Sequence, residues 1–263
     1  MIVHTTRNTK RFLFYLVVLF CSYSTTPNAQ VNTERTRPKP KPGLHGAVEG
    51  DVNWMHGNVE FLRIGTALKL HHHSPIHRPM LHARYALART PEDTFLHQAW
   101  VHGRWTAMWL PQIGSELFAQ YQFDSAQNLQ SRVVTGAGVR WAIVKQNTLQ
   151  LYASSGYMFE SETLQNLPEQ EPHPSTTMHH RWSNNLYLQL NLSKTASFSN
   201  SLYIQPRFDA PDDFRLLNET DLNFKLWSSF RVILGLRLRY DSRPPSFLKT
   251  TDIQIQNKLQ FAF

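Results

Sequence analysis

From Leu44 to the carboxy-terminus, apolar and polar residues alternate with a period of two. In FRVILGLRLRYD, Phe230, Val232, Leu234, Leu236, Leu238 and Tyr240 share one face, while Arg231, Gly235, Arg237, Arg239 and Asp241 share the other. In SELFAQYQFD, Leu117, Ala119, Tyr121 and Phe123 face away from Glu116, Gln120, Gln122 and Asp124. The last residues, DIQIQNKLQFAF, repeat the pattern with Ile253, Ile255, Leu259, Phe261 and Phe263. Successive side chains of a strand point to opposite sides. The pattern therefore predicts twelve strands, over 44–55, 58–70, 80–89, 94–109, 113–124, 131–145, 148–160, 180–193, 197–208, 214–227, 230–241 and 251–263. Most reach ten residues, beyond the usual ~5–6 of soluble strands. They match the roughly 9–11 residues that a tilted strand needs to cross a bilayer.

Hydrocarbon offers no partner for an unpaired N–H or C=O, so a spanning sheet must close on itself. The fold class expected is thus an all-β, antiparallel up-and-down transmembrane barrel, with the strand at 251–263 paired to the strand at 44–55. Its apolar faces meet lipid and its polar faces line a lumen. The connections agree: 110–112, 145–147, 193–196 and 227–229 are short, while 161–180 and 241–250 are long. Short turns on one side and longer loops on the other characterise outer-membrane barrels, with the short turns periplasmic. The segment HHHSPIHRP (71–79) is a long exception on the short side. An even strand count puts both termini on the periplasmic side. Trp54, Trp109, Trp141, Tyr157, Phe159, Trp182, Phe208, Trp227, Phe230 and Tyr240 fall near strand ends, as interfacial aromatic girdles require.

The leading residues add a route to that membrane. Arg7, Lys10 and Arg11 precede the apolar run FLFYLVVLFC, and a polar stretch ends in TTPNAQ. This predicts a secretory signal over 1–29. Lipoprotein processing at Cys21 and a retained anchor are the alternatives; bulky Phe20 argues against the first and the short apolar run against the second. Residues 30–43, including RTRPKPKPG, are expected to form an extended basic Pro/Lys segment before the barrel at 44–263. Cys21 is the chain's one cysteine, so the mature chain would use neither disulfides nor thiolate ligands. The formal charge of +8 is spread along the chain and predicts no nucleic-acid face.

Several stretches resemble the salt-induced outer membrane protein family, a domain of unknown function. They include ELFAQYQFD, NLQSRVVTGAGVRW, LYIQPRFDAPDDFRLLNETDLNFKL and LRLRYDSRPPSFLKTTDIQIQNKLQFAF. The shared elements are Glu116, Gln120, Arg132, Gly136, Gly138 and Arg140, then Tyr240-Asp241, Pro244-Pro245, Asp252 and terminal Phe263. The resemblance covers about residues 80–263 and implies a Gram-negative outer-membrane barrel linked to salt stress. It brings no established activity.

The candidate chemistry lies on the inward faces: Glu116, Asp124, Arg132, Arg140, Glu160, Arg207, Glu219, Asp221, Lys225, Arg231, Arg237, Arg239, Asp252 and Lys258. Two readings stand. These charges form a salt-bridge network that fills a narrow lumen, or rings that select solutes in a small pore. Asp221, Arg237, Asp252 and Lys258 are expected to lie together, and Gly136 and Gly138 to leave room for arginines. His71, His72 and His73 would converge on a metal only in a loop, because neighbours on a strand diverge. No GxSxG, P-loop or HExxH occurs, and WVHGRWTAMW lacks the serine that an outer-membrane phospholipase needs two residues after its histidine. The expectation is a non-enzyme without cofactor or metal. A lipid-acting enzyme and a soluble periplasmic β-sheet binding protein are the rival classes. Expected partners are outer-membrane lipids and the barrel-insertion machinery, which would read Phe261 and Phe263 as an assembly signal, with a monomer favoured and no nucleic acid bound.

Overall fold

In the computed structural model, the described residues are 42–57, 60–227 and 230–261. The expected signal segment, nearly all of the basic Pro/Lys segment and Phe263 lie outside them. The strands are β1 (Gly43–Met55), β2 (Phe61–His73), β3 (His77–Arg89), β4 (Thr94–Met108), β5 (Ile113–Asp124) and β6 (Leu129–Lys145), followed by β7 (Leu149–Leu164), β8 (Thr176–Asn191), β9 (Ala196–Pro206), β10 (Phe214–Lys225), β11 (Phe230–Asp241) and β12 (Thr251–Phe261). They form one twelve-stranded sheet in chain order. Each strand pairs antiparallel with the next, as an up-and-down barrel requires. No helix among the described residues is long and apolar enough to cross a membrane.

Two connections are shorter than the pattern alone predicts. His71, His72 and His73 continue β2 and His77 opens β3, so the 71–79 exception shrinks to 74–76. Pro79 marks an interruption in the hydropathy pattern, yet it is accommodated close to the start of β3, where a missing N–H is tolerated. Likewise, Ser161–Thr163 of β7 pair with Thr176–Met178 of β8, leaving 165–175 as the loop. All the links 74–76, 109–112, 146–148, 192–195 and 226–229 on one side are now tight. The longest loops, 165–175, 207–213 and 242–250, share the other side.

The faces invert the arrangement of a soluble sheet. Val101, Trp105, Leu117, Tyr121, Val133, Trp141, Leu186, Ile204, Leu234 and Leu236 are exposed on the outside. Gln98, His102, Thr106, Gln120, Gln122, Asn185, Ser201 and Gln205 are buried on the inside. At one rim of the outer face Tyr157 stacks on Phe208 (centroids 6.2 Å apart) and touches His180, which also meets Phe159 at 5.4 Å. Such a rim of amphipathic rings suits a water–lipid boundary.

The sheet curls strongly, because Arg215 of β10 reaches Glu160 of β7 three strands away. Among the described residues no backbone ladder between β12 and β1 is part of the strand order. β1 is exposed along most of its length. Its glycines, Gly43, Gly46 and Gly50, provide no side chain to pack. Among its inward charges, Glu49 bonds Lys69 of β2 at 2.8 Å, and Asp51 lies 3.9 Å from Arg63.

Candidate functional site

The inward positions converge on a plug at the long-loop end of the lumen. Its centre is Glu160, 1% exposed, on β7. One carboxylate oxygen accepts from Arg181 Nε of β8 at 2.7 Å, while the other engages Arg132 of β6 and Arg215 of β10. Glu162, two residues along the same face, lies 3.2 Å from Arg215 and 3.7 Å from Arg132. Arg181 donates from Nη1 to the Gln205 carbonyl at 3.1 Å and from Nη2 to Asp213 Oδ1 at 3.2 Å. Arg215 Nε donates to Asp241 Oδ2 at 2.8 Å. Four strands therefore contribute to one buried cluster of three arginines and two glutamates. A buried charge persists only when paired and hydrogen-bonded, and here each carboxylate faces more than one guanidinium.

A second layer lies toward the short turns. Glu116 accepts from Thr106 Oγ1 at 3.0 Å and sits 3.7 Å from Arg104 and 3.9 Å from Arg140. Arg140 lies over the Tyr152 ring at 4.5 Å. Between the layers is a cavity of about 70 Å³, touching His102, Arg104, Glu116, Arg132, Met158 and Tyr203. It has room for a few water molecules. Phe118, not an arginine, fills the space over Gly136; a Cβ there would collide with its ring. Gly138 and Gly156 face each other across β6 and β7, and a Cβ on Gly138 would lie 3.0 Å from the Gly156 Cα.

The histidines do something other than gather around a metal. His71 points inward and its Nε2 meets Nε2 of His82 at 2.8 Å, so one ring donates and the other accepts. His72, its neighbour on the strand, is exposed. His82 faces His102 across β3 and β4, and His102 Nδ1–H donates to Gln120 Oε1 at 3.1 Å. Among the described residues no group of three or more His, Cys, Asp or Glu is placed to hold a metal.

Of the predicted inward charges, Glu116, Asp124, Arg132, Arg140, Glu160, Glu219, Asp221 and Arg239 are buried. Asp124 also caps a 3₁₀ turn (Ser125–Gln127), accepting from the Ala126 N–H at 3.1 Å. Arg237 pairs with Glu219, and Asp221 sits opposite Gly235 in register. Arg207 opens the loop 207–213, where it bonds Asp209 and also Asp213, which it shares with Arg181. Lys225, Arg231 and Asp252 are exposed, because the strand ends open to solvent. Lys258 stands opposite Ile233 in the β11–β12 register. Arg181, Arg215, Glu162, Asp213 and Arg104 were not foreseen. Alternation with Trp182 and Glu219 places Arg181 and Arg215 inward, and Glu162 becomes visible once β7 is extended past 160.

Outside the strands, loops are tied by carboxylates. Hydrogen bonds from Arg207 hold the Asp209 carboxyl down to about 2, and the same pair raises Arg207. Ser246 donates from both Oγ and N–H to Glu171, which keeps that carboxyl below its ordinary value.

Among curated proteins none matches the chain. Among solved structures it is similar to one described as "NanC porin structure in rhombohedral crystal form", at 10% identity and a TM-score of 0.46, covering 83% of this chain and 99% of that one. Residues 52–263 match the family model described as "Protein of unknown function, DUF481". That span takes in the barrel from within β1 to the last residue, and the chain belongs to this family.

Proposed function

We propose that this protein is a non-catalytic outer-membrane barrel of the Gram-negative envelope whose lumen is shut by its own ion pairs. The observation that carries the reading is Glu160, almost fully buried and shared by arginines from three other strands. An aqueous pore keeps its lining charges solvated, whereas the side chains of this cluster are only 1% to 12% exposed. The inverted faces support a lipid-embedded wall, because exposed apolar side chains and buried polar ones suit a bilayer rather than water. On this reading the short turns are periplasmic, lipids are the principal surroundings, and Phe261 with Phe263 is what the insertion machinery recognises. The connection with salt stress enters through the family resemblance, and growth of a deletion strain at high salt tests it.

Planar-bilayer conductance of the refolded protein tests occlusion. The expected result is no stable channel from the wild-type chain and discrete conductance from the double variant R132A/R181A. Long-lived wild-type channels across a range of salt would replace the plugged barrel with the narrow pore.

A further inference from the structure

The outward wall is mostly apolar, but β9 and β10 interrupt it. Asn200 lies near the middle of β9, and Asn218 and Thr220 near the middle of β10. Alternation puts all three outside. Their chain neighbours Ser201, Leu217, Glu219 and Asp221 are buried within, while Ile204 and Phe224, on the same side as the three, are exposed. In register, Asn200 stands opposite Thr220 and Leu188, and Asn218 opposite Leu202 and Leu238. A polar spot is thus set in a collar of leucines.

The spot is a closed set of hydrogen bonds with two ends left over. Asn200 Nδ2 donates to Asn218 Oδ1 at 3.2 Å, and Asn218 Nδ2 donates back to Asn200 Oδ1 at 3.4 Å. The second Asn200 N–H goes to Thr220 Oγ1 at 2.8 Å, and the Thr220 hydroxyl donates to Asn218 Oδ1 at 3.3 Å. A side-chain amide offers two N–H donors and an oxygen with two lone pairs. Asn218 therefore keeps one N–H and Asn200 Oδ1 keeps one lone pair, on side chains that are partly exposed. Hydrocarbon satisfies neither, and a polar group left unbonded there is costly.

We propose that this spot is the contact between two copies of the protein related by a two-fold axis, an inference that rests on the lipid-embedded wall of the preceding section. The leftover donor and acceptor make the surface complementary to itself. The Asn218 N–H of each copy meets Asn200 Oδ1 of the other, as a two-fold contact requires. Lipid tails are as apolar as leucine, so the collar alone gives no preference for a protein neighbour and the amides supply it. The barrel is then a dimer in the membrane, where the sequence favours a monomer.

The test is sedimentation of the full chain, refolded in detergent, over a range of protein-to-detergent ratios, joined to cysteine cross-linking in liposomes. The wild-type chain should form a dimer at high ratio, and N200L/N218L should need about tenfold more protein for the same dimer fraction. In a C21S background, L202C leaves the amides in place and should cross-link on oxidation. V101C, exposed on the outside of β4, should not. The heat-modifiable gel shift reports that each variant folds. A monomer at every ratio, an unchanged dimer in N200L/N218L, or equal cross-linking at both positions overturns the contact and leaves the lipid-embedded wall standing. Solubility without detergent overturns the wall and the contact together, so the two failures are distinguishable.

Discussion

Two regions of this barrel use the same chemistry at opposite ends of the burial scale. On β1 and β2, Glu49 and Lys69 form an ion pair of 2.8 Å between side chains that are 61% and 36% exposed. On β6, β7, β8 and β10, Glu160 meets three arginines while 1% exposed. The distances are alike and the consequences are not. Water screens the first pair, whose Coulomb gain is largely offset by the order it imposes. The second is cut off from water, so each member depends on the others to remain charged. A short N···O distance therefore says little about stability until burial is known.

The contrast is open to mutation. Glu160→Ala should give the largest effect, about 3–5 kcal/mol, because it strands several arginines in the lumen. Unfolding of the detergent-solubilised barrel in urea would measure it, and a loss below about 1 kcal/mol would mean that water reaches the cluster. Gly156→Ala comes next, at roughly 1–3 kcal/mol, since its Cβ would run into the Ala137 carbonyl and the Gly138 Cα across the β6–β7 pair. The heat-modifiable shift in gel migration should move to lower temperature. Lys69→Met should change stability by no more than about 1 kcal/mol, and the double variant with Glu49→Gln should show little coupling. A coupling as large as that at Glu160 would erase the distinction drawn here.

The smallest effect concerns pH. Asp209 has its folded value lowered to about 2 by Arg207, against an ordinary carboxyl near 4. Its contribution is complete above the ordinary value and disappears as pH falls from about 4 through about 2. Hydrogen exchange of the loop 207–213 should accelerate across that interval, while exchange in β6 and β7 does not follow it.

How much of this was legible in the chain divides along physical lines. The period of two reports which way each side chain points, so the twelve strands, the inward charges and the loop asymmetry could be read directly. Facing does not give depth. Lys225 and Arg231 share a face with buried charges but sit where the lumen opens, and alternation cannot separate the two cases. Nor does it give partners across a curled sheet, which is why Arg215 meeting Glu160 three strands away was not visible. The histidine segment misled for a local reason: His71, His72 and His73 lack apolar alternation, so pairing with β1 and β3, not hydropathy, extends the strand.

The plug has a consequence for time as well as for energy. Its parts come from β6, β7, β8 and β10. It cannot assemble until all four strands bend around one axis, so it forms after they have come together. Interactions absent from the transition state do little to hasten folding and act instead on the rate of escape from the native state. The cluster is thus a latch set after the wall is raised. Weakening it should shorten the lifetime of the folded barrel while leaving its rate of formation nearly unchanged.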